Sequence, residues 1–142
     1  MSTSKLYQFQ TWLEGKIKNV LPSGIDILCR RKGNIDNDIQ NALTTIGIAI
    51  VVEPPLPRSW SKTYILKAET VESQVHIIEN VALQNTQETA YSLLETIAKT
   101  LYEERCDELG GAVITLGEVA DASPADEAII HFVLPISNAL NF

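Results

Sequence analysis

His76 and His131 are the only two histidines. Both fall in stretches that read as strand, so a sheet would let them approach each other. A metal site would also need a carboxylate or cysteine at ligand spacing, and neither histidine has one, so both read as ordinary strand residues with a hydrogen bond each. Cys29 follows an apolar run and Cys106 follows a helix end. With no histidine nearby in sequence, they read as small buried hydrophobes rather than nucleophiles. Asn34, Asp36 and Asp38 resemble the start of a hard-cation loop, but the later glycine and glutamate of a calcium loop are missing. Stabilising a helix end is the better account.

Asp121, Asp126 and Glu127 gather beside Ser123 and Pro124. Catalytic carboxylates need a cleft, which the sequence does not indicate, so the group reads as a solvated acidic loop. Gly110-Gly111 precedes a strand rather than a helix and cradles no phosphate. Gly-x-Ser-x-Gly, Walker and Rossmann patterns are all absent from the sequence. Arg30-Arg31-Lys32-Gly33 is the one basic cluster. It reads first as a solvated turn and second as an anion or partner site. No enzyme, metal or cofactor is expected from these residues.

The 142 residues fit one domain, residues 1–142, with 45% hydrophobic and 20% charged residues. Folding a chain of this length buries roughly two thirds of its extended surface, enough for one core. The net charge of −7 argues against nucleic-acid binding, since phosphate contacts need clustered Lys and Arg. The two cysteines show no paired spacing and no signal peptide precedes them, so reduced thiols in a cytoplasmic protein are expected. Apolar runs are too short to span a membrane.

The elements that must position these residues follow from periodicity. Leu6, Phe9, Leu13, Ile17 and Val20 form one stripe of a helix from Lys5 to Val20, with Trp12 beside it, and Pro22-Ser23-Gly24 ends it. Ile25–Cys29 reads as a short strand or extended arm. A second helix, capped by Asn34 or Asp36, runs to about Ile46 and stops at Gly47. Ile48–Val52 reads as a strand buried on both faces. Glu53–Pro57 ends it, and Pro57–Ser61 reads as a loop with Trp60 in the open. Thr63–Val81 is mostly strand, with a bulge or bend near Ala68–Glu72. Beyond it Val71, Val75 and Ile77 share one face, and Glu72, Gln74, His76 and Ile78 the other. Thr86–Arg105 is the best-patterned helix, capped by Asn85 with Glu88, its stripe made of Ala90, Leu94, Ile97 and Leu101, widened by Tyr91, Ala98 and Tyr102. Val113–Val119 and Ala128–Ile136 form a hairpin around the loop Ala120–Glu127. The class expected is α+β: an antiparallel or mixed sheet of about four to five strands, covered mainly on one face by two to three helices.

This order resembles the tail terminator (minor tail protein U-like, tail completion) proteins of long-tailed bacteriophages and prophages. The likeness is carried by the N-terminal helix, by Asp38–Leu43 running into Gly47–Val52, and by Glu72–Asn80 with its closing Glu-Asn. Ala90-Tyr91 … Leu94 … Ile97 … Leu101-Tyr102 and the final strand pair complete it. What the resemblance implies is a structural protein that forms a ring, often of six copies. Such a ring ends tail-tube polymerisation and meets the head-side connector, first in the cytoplasm and then in the virion tail. Its implied partners are other copies of itself, the tail tube protein and the head–tail connector, with no membrane and no sequence-specific nucleic acid. Implied interface residues are Arg30, Arg31 and Lys32, then Arg58 and Trp60, then Asp121, Asp126 and Glu127. Two other readings remain: a dimeric ligand-binding or enzymatic α+β domain with a pocket near His76 and His131, and an adaptor that binds a protein through the Pro54–Pro57 loop.

Overall fold

The computed structural model describes residues 4–29, 35–62, 65–83, 88–106 and 113–141. In chain order these form α1 (Lys5–Lys18), β1 (Ile27–Cys29), α2 (Asp36–Thr45), β2 (Ile48–Val52), β3 (Leu56–Lys62), β4 (Leu66–Asn80), α3 (Ala90–Leu101), β5 (Thr115–Leu116), β6 (Ala120–Asp121) and β7 (Ile129–Asn141). The α+β class read from the sequence is the class found.

Strand β4, 15 residues long, and β7, 13 residues long, pair antiparallel as the spine of the sheet. Short strands lie end to end along their outer sides. β2 and β3 share one side of β4, opposite residues 75–79 and 66–72. β5 and β6 share the outer side of β7, opposite residues 136–137 and 132–133. β1 adds to β2 in parallel, which makes the sheet mixed. Seven strands therefore fill five columns.

The alternation of β4 slips once. Ala68 lies opposite Leu140 and Val71 opposite Asn138, so one extra residue bulges between them. Without that bulge, Ala68 and Val71 could not both face inward, since strand side chains alternate with period two. Both are fully buried. The inner face, with Val75, Ile77, Leu134, Ile136 and Leu140, packs under α1 and α3 in one core. The opposite face receives α2, whose Leu43 packs on Ala49 and Ile78.

Several local readings need correction. Pro57–Ser61 is strand β3 rather than a loop. Proline's missing N–H is harmless on an outer strand, and register shifts on both sides of Ser59 absorb the misfit. The cap of α3 is Thr89, in a capping box with Ser92, and not Asn85 with Glu88. Asp36 lies inside α2, whose cap position is Ile35 without a side-chain bond; the other candidate, Asn34, is outside the described residues. Gly47 does end α2: at φ 91° its N–H donates to Ala42 O at 2.9 Å, a closure that suits glycine.

The last hairpin is also more broken than its pattern suggests. Pro135 has no N–H, and its carbonyl faces the outer edge, where Gly117 N–H donates to it at 2.8 Å. The outer strand therefore splits there into β5 and β6. A Cβ on Gly117 would stand 3.0 Å from Pro135 Cγ, so glycine is what lets the chain pass this close. Ala120 and Asp121, expected in the loop, are paired as β6.

Candidate functional site

The outward face of the central strands carries a polar cluster. β4 sets His76 opposite Val133, and β7 sets His131 opposite Ile78, so the two imidazoles are diagonal neighbours. His76 Nδ1 and His131 Nε2 are 2.9 Å apart, one donating and the other accepting. On its far side His76 Nε2 lies 3.2 Å from Glu53 Oε1, just past the end of β2. Beyond His131, the His131 N–H donates to Ser123 Oγ at 2.9 Å, and Ser123 N–H donates to Asp121 Oδ1 at 3.0 Å. Glu53, His76 and His131 thus form a row across the outward face, and Asp121 stands near its end, tied to the His131 backbone through Ser123.

Partial burial pushes the His131 imidazole below its ordinary value, and the Asp121 charge pulls it more weakly the other way. The Ser123 hydroxyl, helped by its own N–H, holds the Asp121 carboxyl below the usual carboxylate range. The histidines do approach each other, as their two strands allow. A row of this kind can pass or share a proton, because each imidazole has one donor and one acceptor nitrogen when neutral. Among the described residues, no group of three or more His, Cys, Asp or Glu side chains is placed to hold a metal ion.

Glu53 also lines a groove of about 330 Å³ with Pro54, Leu56, Arg58, Glu72 and Gln74. The groove sits on the same face, where β3 pairs with β4. Arg58 Nε donates to Glu72 Oε2 at 3.0 Å across it. Trp60 lies on the other side of the same hairpin, opposite Ala68, and is half exposed. Leu66 and Ile65 at the hairpin's turn are similarly exposed. The sequence reading placed Arg58 and Trp60 together; the structure separates them onto two faces of one ribbon.

Asp126 and Glu127 are exposed in the turn between β6 and β7. With Asp121 they occupy one edge of the sheet, while β1 forms the opposite edge. Arg30, Arg31 and Lys32 follow β1 directly in sequence but lie outside the described residues, as do Gly110 and Gly111. Cys29 and Cys106 are buried, and Gln10 Nε2 donates to Cys29 Sγ at 2.6 Å inside the fold.

Sequence reasoning missed Glu53 as a member of the polar row. Its signal was a charge placed directly after a fully apolar strand, where a following Pro-Pro would hold it against the sheet. Among the described residues, no helix is long and apolar enough to cross a membrane. No protein-family model and no curated protein sequence matches the chain.

Proposed function

We propose that the chain is a structural subunit of the tail terminator kind, which assembles with copies of itself into a ring, near six subunits, on the end of a phage or prophage tail tube. One observation carries this reading most. The two edges of a single sheet are unlike: β6 and its turn bring Asp121, Asp126 and Glu127 to one edge, while the strand leading into Arg30-Arg31-Lys32 forms the other. A ring needs a heterologous contact, in which one patch meets a different patch on the next copy. An acidic edge facing a neighbour's basic turn supplies charge complementarity that sets register. The element order also supports the reading, because a helix, a short strand, a helix running into a buried strand, a long strand, a helix and a strand pair occur in the sequence that the resemblance implies.

In this reading the protein does no chemistry. Its partners are the tail tube protein and the head-side connector, and it moves from the cytoplasm into the virion tail. A net charge of −7 keeps passing DNA from sticking to a ring lumen.

Native mass measured across protein and salt concentrations tests the proposal. The expected result is a ring-sized species that grows with protein concentration, weakens with salt, and is reduced in the Arg30→Glu/Arg31→Glu variant. A stable, salt-insensitive dimer would overturn it in favour of a ligand-binding or enzymatic domain. Glu53, shared between the groove and the histidine row, is the observation that favours that second reading.

A further inference from the structure

The direction of the His76–His131 hydrogen bond decides which nitrogen of the pair is left open. Each neutral imidazole carries one N–H and one lone pair. Two arrangements therefore put a single proton between His76 Nδ1 and His131 Nε2, 2.9 Å apart. If His76 donates there, its Nε2 turns a lone pair on the Glu53 carboxylate, 3.2 Å away. An ionised carboxylate only accepts, so lone pair would face lone pair. If His131 donates instead, His76 Nε2 carries the N–H and meets the carboxylate with the right sign. That nitrogen is buried, and its contact with Glu53 is close rather than well aligned. The attraction of charge for the N–H dipole therefore selects the arrangement, not ideal hydrogen-bond geometry. Asp121 pulls the other way, toward a proton on His131 Nδ1. Its carboxylate, however, accepts from Ser123 N–H, and no hydrogen bond joins it to the His131 ring among the described residues. The nearer carboxylate, Glu53, sets the direction.

We infer that Glu53 fixes the tautomers of both rings and so leaves His131 Nδ1 as the reactive nitrogen of the row, a site for small neutral acyl electrophiles, with His76 closed to them. This goes beyond the ring reading, which gives the row no task, and does not depend on it. The three side chains stand as the parts of an activated nucleophile do: nucleophile and base within hydrogen-bond reach, and the base oriented by a third group. His131 is the nucleophile, His76 Nδ1 accepts from its Nε2–H, and Glu53 holds His76. His131 Nδ1 has no hydrogen-bond partner among the described residues, and the side chain is half-buried rather than enclosed. Partial burial also keeps this imidazole below its ordinary proton affinity, so the lone pair is open in neutral solution. Charge narrows the choice of electrophile. Glu53 and Asp121 flank the pair, which repels anionic phosphoryl donors and admits neutral acyl groups.

The test uses the full chain and diethyl pyrocarbonate, a neutral acyl electrophile. Attack by His131 Nδ1 forms an N–C bond, ethyl carbonate leaves, and the ring gives up its Nε2 proton to the leaving group. The chain has two histidines, so peptide mass mapping assigns the label. His131 should be labelled at least about tenfold faster than His76, because the reversed chain forfeits a hydrogen bond to a charged group. His131→Gln should remove the fast label. Nitrogen NMR of the rings, in mildly alkaline solution where an ordinary imidazole is neutral, should show Nε2–H on both. Glu53→Gln presents an amide that can meet His76 Nε2 with either end. Nδ1–H forms should then appear, and His131 labelling should slow, in a variant whose melting curve matches the wild type. Nδ1–H on both wild-type rings, or faster labelling of His76, would overturn the inference. Unchanged tautomers in folded Glu53→Gln would overturn it as well. If that variant does not fold, the wild-type spectra and labelling rates decide alone.

Discussion

Glu79 and Asn80, consecutive residues at the end of β4, fasten one helix to each face of the sheet. Glu79 Oε1 accepts from Ala90 N–H at the start of α3, at 2.6 Å. Asn80 Nδ2 donates to Leu43 O near the end of α2, at 3.0 Å. Strand alternation sends the two side chains to opposite faces, and each meets a backbone group that its helix leaves without an internal partner. The carboxylate also suits the positive end of α3. Glu79→Ala should therefore cost about 1.5–3 kcal/mol, the usual worth of a hydrogen bond to a charged group, and Asn80→Ala about 1 kcal/mol. Urea unfolding of both variants checks the order. Equal losses would mean that the charge on Glu79 adds nothing.

Asn138 is the opposite case, a buried polar side chain that finds nothing to bond among the described residues. It lies on the inner face beside Ile136 and Leu140, 6% exposed, and neither its Oδ1 nor its Nδ2 has a hydrogen-bond partner among the described residues. An unsatisfied buried amide costs about 1–3 kcal/mol, and an apolar group of similar shape avoids that cost. Asn138→Leu should raise the urea midpoint by about 1 kcal/mol of stability without changing the slope of the transition. A loss of stability instead would show that an ordered water serves the amide.

The fold was legible in the sequence where burial alone decides, and illegible where a distant contact does. Ile48–Val52 and the alternation around Val71–Ile78 could be read because their side chains must choose a face whatever the partner. The helix α3 shows the limit. Its stripe was read as Ala90, Leu94, Ile97 and Leu101, yet the fully buried residues are Ala90, Leu93, Ile97 and Leu101, and Tyr91 and Tyr102 are exposed. Both stripes fit the same period. Only the angle at which α1 and the sheet meet the helix separates Leu93 from Leu94. The cap moved from Asn85 to Thr89 for a similar reason, since Glu79, eleven residues before Ala90, reaches the first turn. The histidine row was half legible: the strands allowed His76 and His131 to approach each other, whereas Glu53 and Asp121 join them through strand ends whose register no local pattern sets.

The row makes acid sensitivity a test of this geometry. Burial lowers the proton affinity of His131 in the folded chain relative to its ordinary value of 6.5. As pH falls below about 6.5, the unfolded chain thus binds more protons, and stability declines until the lower folded value is passed. Two carboxylates face the pair, Glu53 at His76 and Asp121 beside His131. The Asp121 charge favours a charged His131 imidazole, so it blunts the decline without reversing it. Asp121 itself is held below its ordinary 3.8, and its contribution is lost only in more acid solution. A hydrogen bond between the rings also needs one unprotonated nitrogen as acceptor, so charging both rings fully breaks the 2.9 Å contact. Urea midpoints measured from about pH 7 to about pH 5 should therefore fall for the wild type and flatten for His131→Gln, which keeps a polar side chain but does not titrate. If the variant falls as steeply as the wild type, the acid sensitivity belongs to other groups, and His131 is a bystander in its row.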